Sequence, residues 1–186
     1  FGDDTLEIME KEPHRLTEVP GISPSKCEKI AEEVSRLFGV RMVMLFLSRF
    51  GIDAATSIEI WKRYGSGTQD LVSENPYVLC DESIGVEFEL CDAMAEKLEI
   101  PMDSSYRIAA GILHVLRHNL NNGHTCLPRE KIPEPAAGLL GCTSETIDFH
   151  MDKLVEKKML VSQELYGREF VFLPDIYLAE KKAADN

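Results

Sequence analysis

Apolar residues recur at helical spacing along most of the chain, and the places where that rhythm breaks share one grammar. Leu6, Ile8, Met9 and Leu16 predict a short first helix over Thr5 to Arg15, with Asp3 or Asp4 available to cap it. Val19-Pro20-Gly21-Ile22-Ser23-Pro24 then interrupts the pattern: Gly21 can take positive φ, Ser23 can cap, and Pro24 suits the first helical position. The next helix runs from Pro24 to about Leu37, with Cys27, Ile30, Ala31, Val34 and Leu37 on one face. The same order returns in a helix over Arg41 to Phe50, a turn at Gly51-Ile52, an Asp53 cap, and a helix over Ala54 to Tyr64 ending at Gly65. A weaker third copy passes from Leu71 to Glu74 through Asn75-Pro76 and Ile84-Gly85-Val86-Glu87-Phe88 into a helix ending near Leu98. Residues 1–102 therefore read as a tandem helix-hairpin-helix domain.

Beyond Ile100-Pro101-Met102-Asp103-Ser104 the pattern changes. A long helix is predicted over Tyr106 to Asn121 with Ile108, Ile112, Val115, Leu116 and Leu120 inward, leaving Arg107, His114, Arg117 and His118 on the wetter face. A short strand at Gly123 to Pro128, a broken helix over Glu130 to Leu140 and a capped helix over Thr143 to Lys158 follow. Met159 to Gln163 and Glu169 to Leu173 alternate apolar and polar residues around Tyr166-Gly167, which predicts a β-hairpin, and Ile176 to Ala184 returns to helix. The expected fold class is mainly α: the hairpin domain, then a winged-helix-like α+β domain over 103–186 with a small β-hairpin.

Charge sharpens this picture. The formal net charge is −12, which works against indiscriminate nucleic-acid binding, because phosphate neutralisation supplies most non-specific affinity. Its distribution is uneven: 15–63 carries 8 basic and 6 acidic residues, whereas 81–103 carries 1 basic and 8 acidic. Any phosphate contact is expected in the earlier stretch. The 5 cysteines are odd in number and isolated, arguing for reduced core thiols rather than a disulfide framework. No run approaches the ~20 apolar residues of a membrane span and no basic leader precedes the fold, so the expectation is a cytoplasmic protein without membrane contact. The sequence opens on Phe1 at what reads as a helix end, and it is expected to be a piece of a longer polypeptide.

The first turn carries the clearest chemistry. An apolar-Gly-apolar-small turn aims successive backbone N–H groups at one point beside a helix N-terminus, which suits a phosphate oxygen. Gly21, Ile22 and Ser23 would form that cradle, and Ser25, Lys26 and Lys29 would add a hydroxyl and two charges, contacting DNA backbone without reading sequence. The alternative is a tight turn that only packs two helices. Asp53 in the second turn, and Glu87 and Glu89 in the third, place negative charge where a phosphate would sit, so those turns read as structural.

Other constellations are weaker. His114 and His118 stand one helical turn apart but lack a nearby third metal ligand, and Asp175 with Glu180 and Lys182 stands too close in sequence to place carboxylates on adjacent nuclease strands. No catalytic residue and no metal or cofactor site is expected. Glu145, Asp148 and Asp152 would line the reading face of the predicted recognition helix, so duplex reading there is disfavoured against packing on a partner.

Phe1 to Thr5, Val19-Pro20-Gly21-Ile22, Pro24 and Lys26 to Ala31 resemble the N-terminal region of RecD/TraA-type DNA helicases, related to the exodeoxyribonuclease V alpha subunit. Asn75-Pro76-Tyr77, Ile84-Gly85-Val86 with Phe88, Asp92, Ala95 to Leu98, Ile100-Pro101, Gly123-His124, Leu127-Pro128 and Leu173-Pro174 with Tyr177 extend the resemblance over nearly the whole chain. It implies a non-catalytic accessory region of an ATP-driven superfamily 1 helicase, meeting single-stranded or forked DNA and the motor domains of the same polypeptide. ATP and magnesium would belong to those motor domains, since no Gly-x-x-x-x-Gly-Lys-Ser/Thr loop occurs here. Ser23 and Glu87 stand where such hairpins usually carry glycine, and Glu89 where lysine is usual, which leaves open a protein-interaction scaffold without direct DNA binding.

Overall fold

Three glycines in the left-handed region set the reversals of the hairpins: Gly21 at φ 91°, Gly51 at 84° and Gly85 at 75°. Two residues after each, at Ser23, Asp53 and Glu87, the backbone is extended, and the following residue opens a helix. The grammar read from the sequence is thus realised in all three copies. In the computed structural model, which describes residues 1–184, two units pack separately, one ending at Ser73 and the other beginning at Glu74.

The first unit contains α1 (Thr5–Lys11), a 3-10 turn (Pro13–Glu18), α2 (Pro24–Ser48) and α3 (Ala54–Tyr64), with α4 (Thr68–Glu74) at its end. Here the structure departs from expectation. The helices predicted over Pro24 to Leu37 and Arg41 to Phe50 are one continuous 25-residue helix. Gly39 does not break it; glycine is required there by packing, because a Cβ would overlap the Trp61 ring of α3. Leu16, Val43, Leu47, Ile60 and Val72 are fully or almost fully buried in this unit.

The second unit holds a 3-10 turn (Pro76–Cys80), α5 (Phe88–Lys97), α6 (Ser105–Leu120), β1 (Leu127–Pro128), α7 (Pro133–Leu140), α8 (Ser144–Glu156), β2 (Val161–Leu165), β3 (Arg168–Phe172) and α9 (Pro174–Ala184). Its antiparallel sheet has the order β1-β3-β2, with Leu127 opposite Val171 and Val161 opposite Phe172. Tyr166 and Gly167 join β2 to β3 with φ of 54° and 74°, the two left-handed residues of a type I′ turn, whose twist matches the flanking strands. Ile112, Leu116, Ile132, Ile147 and Met151 form the core between α6, α7 and α8. The protein is mainly α with a small antiparallel sheet, as the pattern predicts.

The division by packing at 73/74 does not coincide with the 102/103 boundary that the pattern suggests. The third hairpin joins the second unit because Phe88 stacks between Tyr77 and His114 of α6, with ring centroids 5.7 and 5.2 Å away. Cys80 and Cys91, isolated in sequence, also meet there: their thiols share a hydrogen bond that holds the Cys80 thiol below its usual pKa. All 5 cysteines are free. No helix among the described residues is long and apolar enough to cross a membrane.

Gly39→Ala tests the contact between α2 and α3. Helix propensity alone would favour alanine by ~1 kcal/mol, whereas overpacking against Trp61 costs ~1–3 kcal/mol. Urea denaturation is expected to show a net loss, and combination with Trp61→Phe should be less destabilising than the sum of the two single changes.

Candidate nucleic-acid interface

The arms of the first hairpin are held by Leu16, 2% exposed, and by the buried Cys27, whose thiol donates to the Pro13 carbonyl at 2.9 Å. The turn closes with Ile22 N–H on the Val19 carbonyl at 3.2 Å. Ser23 caps α2 twice over: its Oγ accepts from Lys26 N–H at 3.3 Å and its carbonyl from Cys27 N–H at 2.9 Å. Pro24 has no N–H, so Ser23 and Ser25 keep the first-turn donors without an intrahelical acceptor. Gly21, Ser23, Ser25, Lys26 and Lys29 are exposed and Ile22 is half-buried. Neither lysine has an ion-pair partner among the described residues. The structure therefore gathers all six candidate residues around one helix start, but the Ser23 hydroxyl takes a donor that glycine would have left free.

The other two hairpins differ in what occupies that position. Phe50 and Ile52 are buried, and Asp53 Oδ1 accepts from Thr56 N–H at 2.7 Å, a bond that lowers the Asp53 pKa. A fixed carboxylate thus fills the position of an incoming anion. In the third hairpin Glu87 is the cap residue but makes no side-chain cap hydrogen bond. Its surroundings are acidic, although α6 supplies one counter-charge, Arg117 at 3.4 Å from Glu82, and sets the His114 imidazole 3.6 Å from Glu89.

Arg107 corrects the sequence reading of α6. Expected on the wetter face, it is 5% exposed. Its Nε and Nη2 donate to the two oxygens of Asp92 at 2.7 and 3.0 Å, and its Nη1 donates to the Met102 and Leu140 carbonyls at 3.1 and 2.8 Å. Tyr77 adds its hydroxyl to Asp92 at 2.6 Å. Burial works against the Asp92 carboxylate, yet the Arg107 and Tyr77 hydrogen bonds outweigh it and hold the pKa below the usual range. Burial, followed by the Asp92 hydrogen bond, pushes the Tyr77 phenol up.

Arg129 was invisible to periodicity. From the segment after β1 it donates to Asp152 at 2.7 Å, Glu169 at 3.1 Å and the Asp148 carbonyl at 3.2 Å, and Ser162 donates to Glu169 at 2.5 Å. Two of the three carboxylate-bearing residues of the presumed reading face are thereby drawn towards the sheet. Phe149, 57% exposed, lies on the outer side of α8 with Lys153 Nζ 4.4 Å from its ring centroid. Asp175, Glu180 and Lys182 all lie on α9, a single helix. Among the described residues no group of three or more His, Cys, Asp or Glu side chains is placed to hold a metal.

Repeated glycine turns, each followed by an extended residue and a helix start, define a helix-hairpin-helix fold. Residues 36–126 match the family model of the ATP-dependent RecD2 DNA helicase HHH domain, a range that includes the second and third hairpins and α6. Along 99% of its length the chain is 22% identical, over 194 aligned residues, to the ATP-dependent RecD2 DNA helicase of Deinococcus radiodurans. The match covers 27% of that relative. The likeness to the helix-hairpin-helix region of RecD-type helicases therefore holds.

The buried pair yields a measurable expectation. Arg107→Ala leaves Asp92 without its counter-ion and two carbonyls without their donor, and should cost ~3 kcal/mol of second-unit stability in chemical denaturation. Because the folded Asp92 pKa is depressed, its contribution is present above the unfolded carboxylate pKa of ~3.9 and is lost as pH falls through the folded value. Asp92→Asn should therefore lower stability at neutral pH and flatten the acid limb of the stability curve below about pH 4.

Proposed function

We propose that this chain is a non-catalytic accessory region of an ATP-driven superfamily 1 DNA helicase. It holds DNA weakly through the first hairpin and docks to the motor domains of the same polypeptide. The observation that carries the reading is the start of α2: exposed Ser23, Ser25, Lys26 and Lys29 around one turn, with both lysines unpaired among the described residues. Two cations and two uncommitted N–H donors fit two adjacent phosphates of a single-stranded or forked substrate, and nothing in that set reads a base. The relative's description as a DNA helicase supports the reading. ATP and magnesium would serve the motor domains, and the site of action would be the cytoplasm.

In the second unit the order α6-β1-α7-α8-β2-β3 supports a winged-helix-like reading, with β2-β3 as the wing. Its α8 would not enter a major groove, because Glu145 puts a carboxylate in its first turn and Arg129 ties Asp148 and Asp152 to the sheet. A second reading, a protein-interaction scaffold without DNA contact, is favoured by one observation: segment 81–103 carries 8 acidic residues against 1 basic.

Binding of labelled single-stranded, duplex and forked DNA at two salt concentrations separates the readings. Weak, salt-dependent binding is expected for the unaltered chain. Lys26→Glu/Lys29→Glu should abolish it at moderate salt; replacing the two lysines by glutamine should reduce the slope of log affinity against log salt by about 1.4–1.8, the share of two phosphate contacts. No binding even at low salt would sink the DNA reading in favour of the scaffold.

A further inference from the structure

On the second unit, α5 and the link to α6 border a groove of ≈ 650 Å³. Apolar groups line it: Ile100, the exposed Met102 and Leu139 stand with Phe88 at its base. Methionine at such a mouth adapts to irregular apolar guests. Four carboxylate residues share the lining, Glu89, Asp92, Glu96 and Glu99.

These acids are not equivalent. Asp92 spends both oxygens on Arg107 and Tyr77, so its charge is answered inside the fold. Glu96 and Glu99 are exposed and have no ion-pair partner among the described residues. Glu96 lies in the last turn of α5 and Glu99 just beyond it, where helix carbonyls already make the potential negative and a carboxylate weakens the helix. Folding gives no reason for these two charges. A cation brought from outside would relieve both them and the helix end, and an apolar residue beside that cation would find a wall ready for it.

We propose that this groove is a docking site for a lysine- or arginine-rich segment of a partner polypeptide. The segment would seat apolar side chains against Ile100, Met102 and Leu139, with its cations at Glu89, Glu96 and Glu99. The same carboxylates disfavour DNA here, and the inference goes beyond the docking to motor domains proposed above and rests on neither that docking nor the DNA contact.

The test is fluorescence anisotropy of the whole chain with a short labelled amphipathic peptide of leucine and lysine, alongside one version with every lysine changed to glutamate and another with every leucine changed to serine. The leucine-lysine peptide is expected to bind, and both control peptides to bind much more weakly. Glu96→Lys/Glu99→Lys should lower affinity by about tenfold or more, Met102→Ser/Leu139→Ser should lower it without changing its salt dependence, and Glu10→Lys/Glu32→Lys on the first unit should leave it unchanged. The altered side chains are exposed, so circular dichroism should match the parent. Equal loss from the Glu10/Glu32 pair, undiminished binding of the serine peptide, or no binding of the leucine-lysine peptide would each overturn the proposal. Binding of forked DNA to Met102→Ser/Leu139→Ser, which leaves every charge in place, measured in parallel, reports on the first hairpin and separates failure here from failure of the DNA reading.

Discussion

Each time the chain turns back through a hairpin it must pass through a left-handed residue and then satisfy the first N–H groups of the next helix. Whatever answers those N–H groups decides what the hairpin can hold. Asp53 answers with a carboxylate at 2.7 Å and closes the position to anions. Ser23 answers with a neutral hydroxyl at the longer distance of 3.3 Å, and proline in the next position removes one donor altogether. The three hairpins share backbone geometry, while cap chemistry and nearby charge distinguish them.

In the second unit the same dependence on one group is seen at Arg107. A guanidinium that touches both oxygens of Asp92 and two backbone carbonyls fixes α5, the link to α6 and the end of α7 together. Such a cluster is costly to desolvate and tolerable only because nearly every donor is used. Arg129 has a parallel role nearer the surface, drawing α8 and the sheet together through Asp152 and Glu169.

Local chemistry was the legible part of this fold. Ser23, Asp53 and Thr143 were recognisable as caps and do cap, and Tyr166-Gly167 was recognisable as a hairpin turn and is one. What could not be read depended on residues far away in sequence. The gap expected between Leu37 and Arg41 closes into one helix, and Gly39 within it stands where Trp61 needs the space. Arg107 resembles a surface charge until Asp92, fifteen positions earlier, is seen to receive it. The helix start that gathers the six residues proposed at the first hairpin was legible for the opposite reason: all lie within nine consecutive positions, and a helix start is a local object. Arg129 and the groove beside α5 are assembled from separate elements, and neither hydrophobic periodicity nor charge counting marks them.

The uninterrupted helix between Gly21 and Gly51 also sets a measure. At 1.5 Å per residue, its 25 residues extend about 37 Å, close to the ~34–36 Å of one duplex turn. With no hinge between them, the first two reversals are opposite ends of a rigid spacer. A strand lying across the first reversal would therefore reach the second only after roughly ten base pairs of path, and there it would meet the Asp53 carboxylate rather than another pair of lysines.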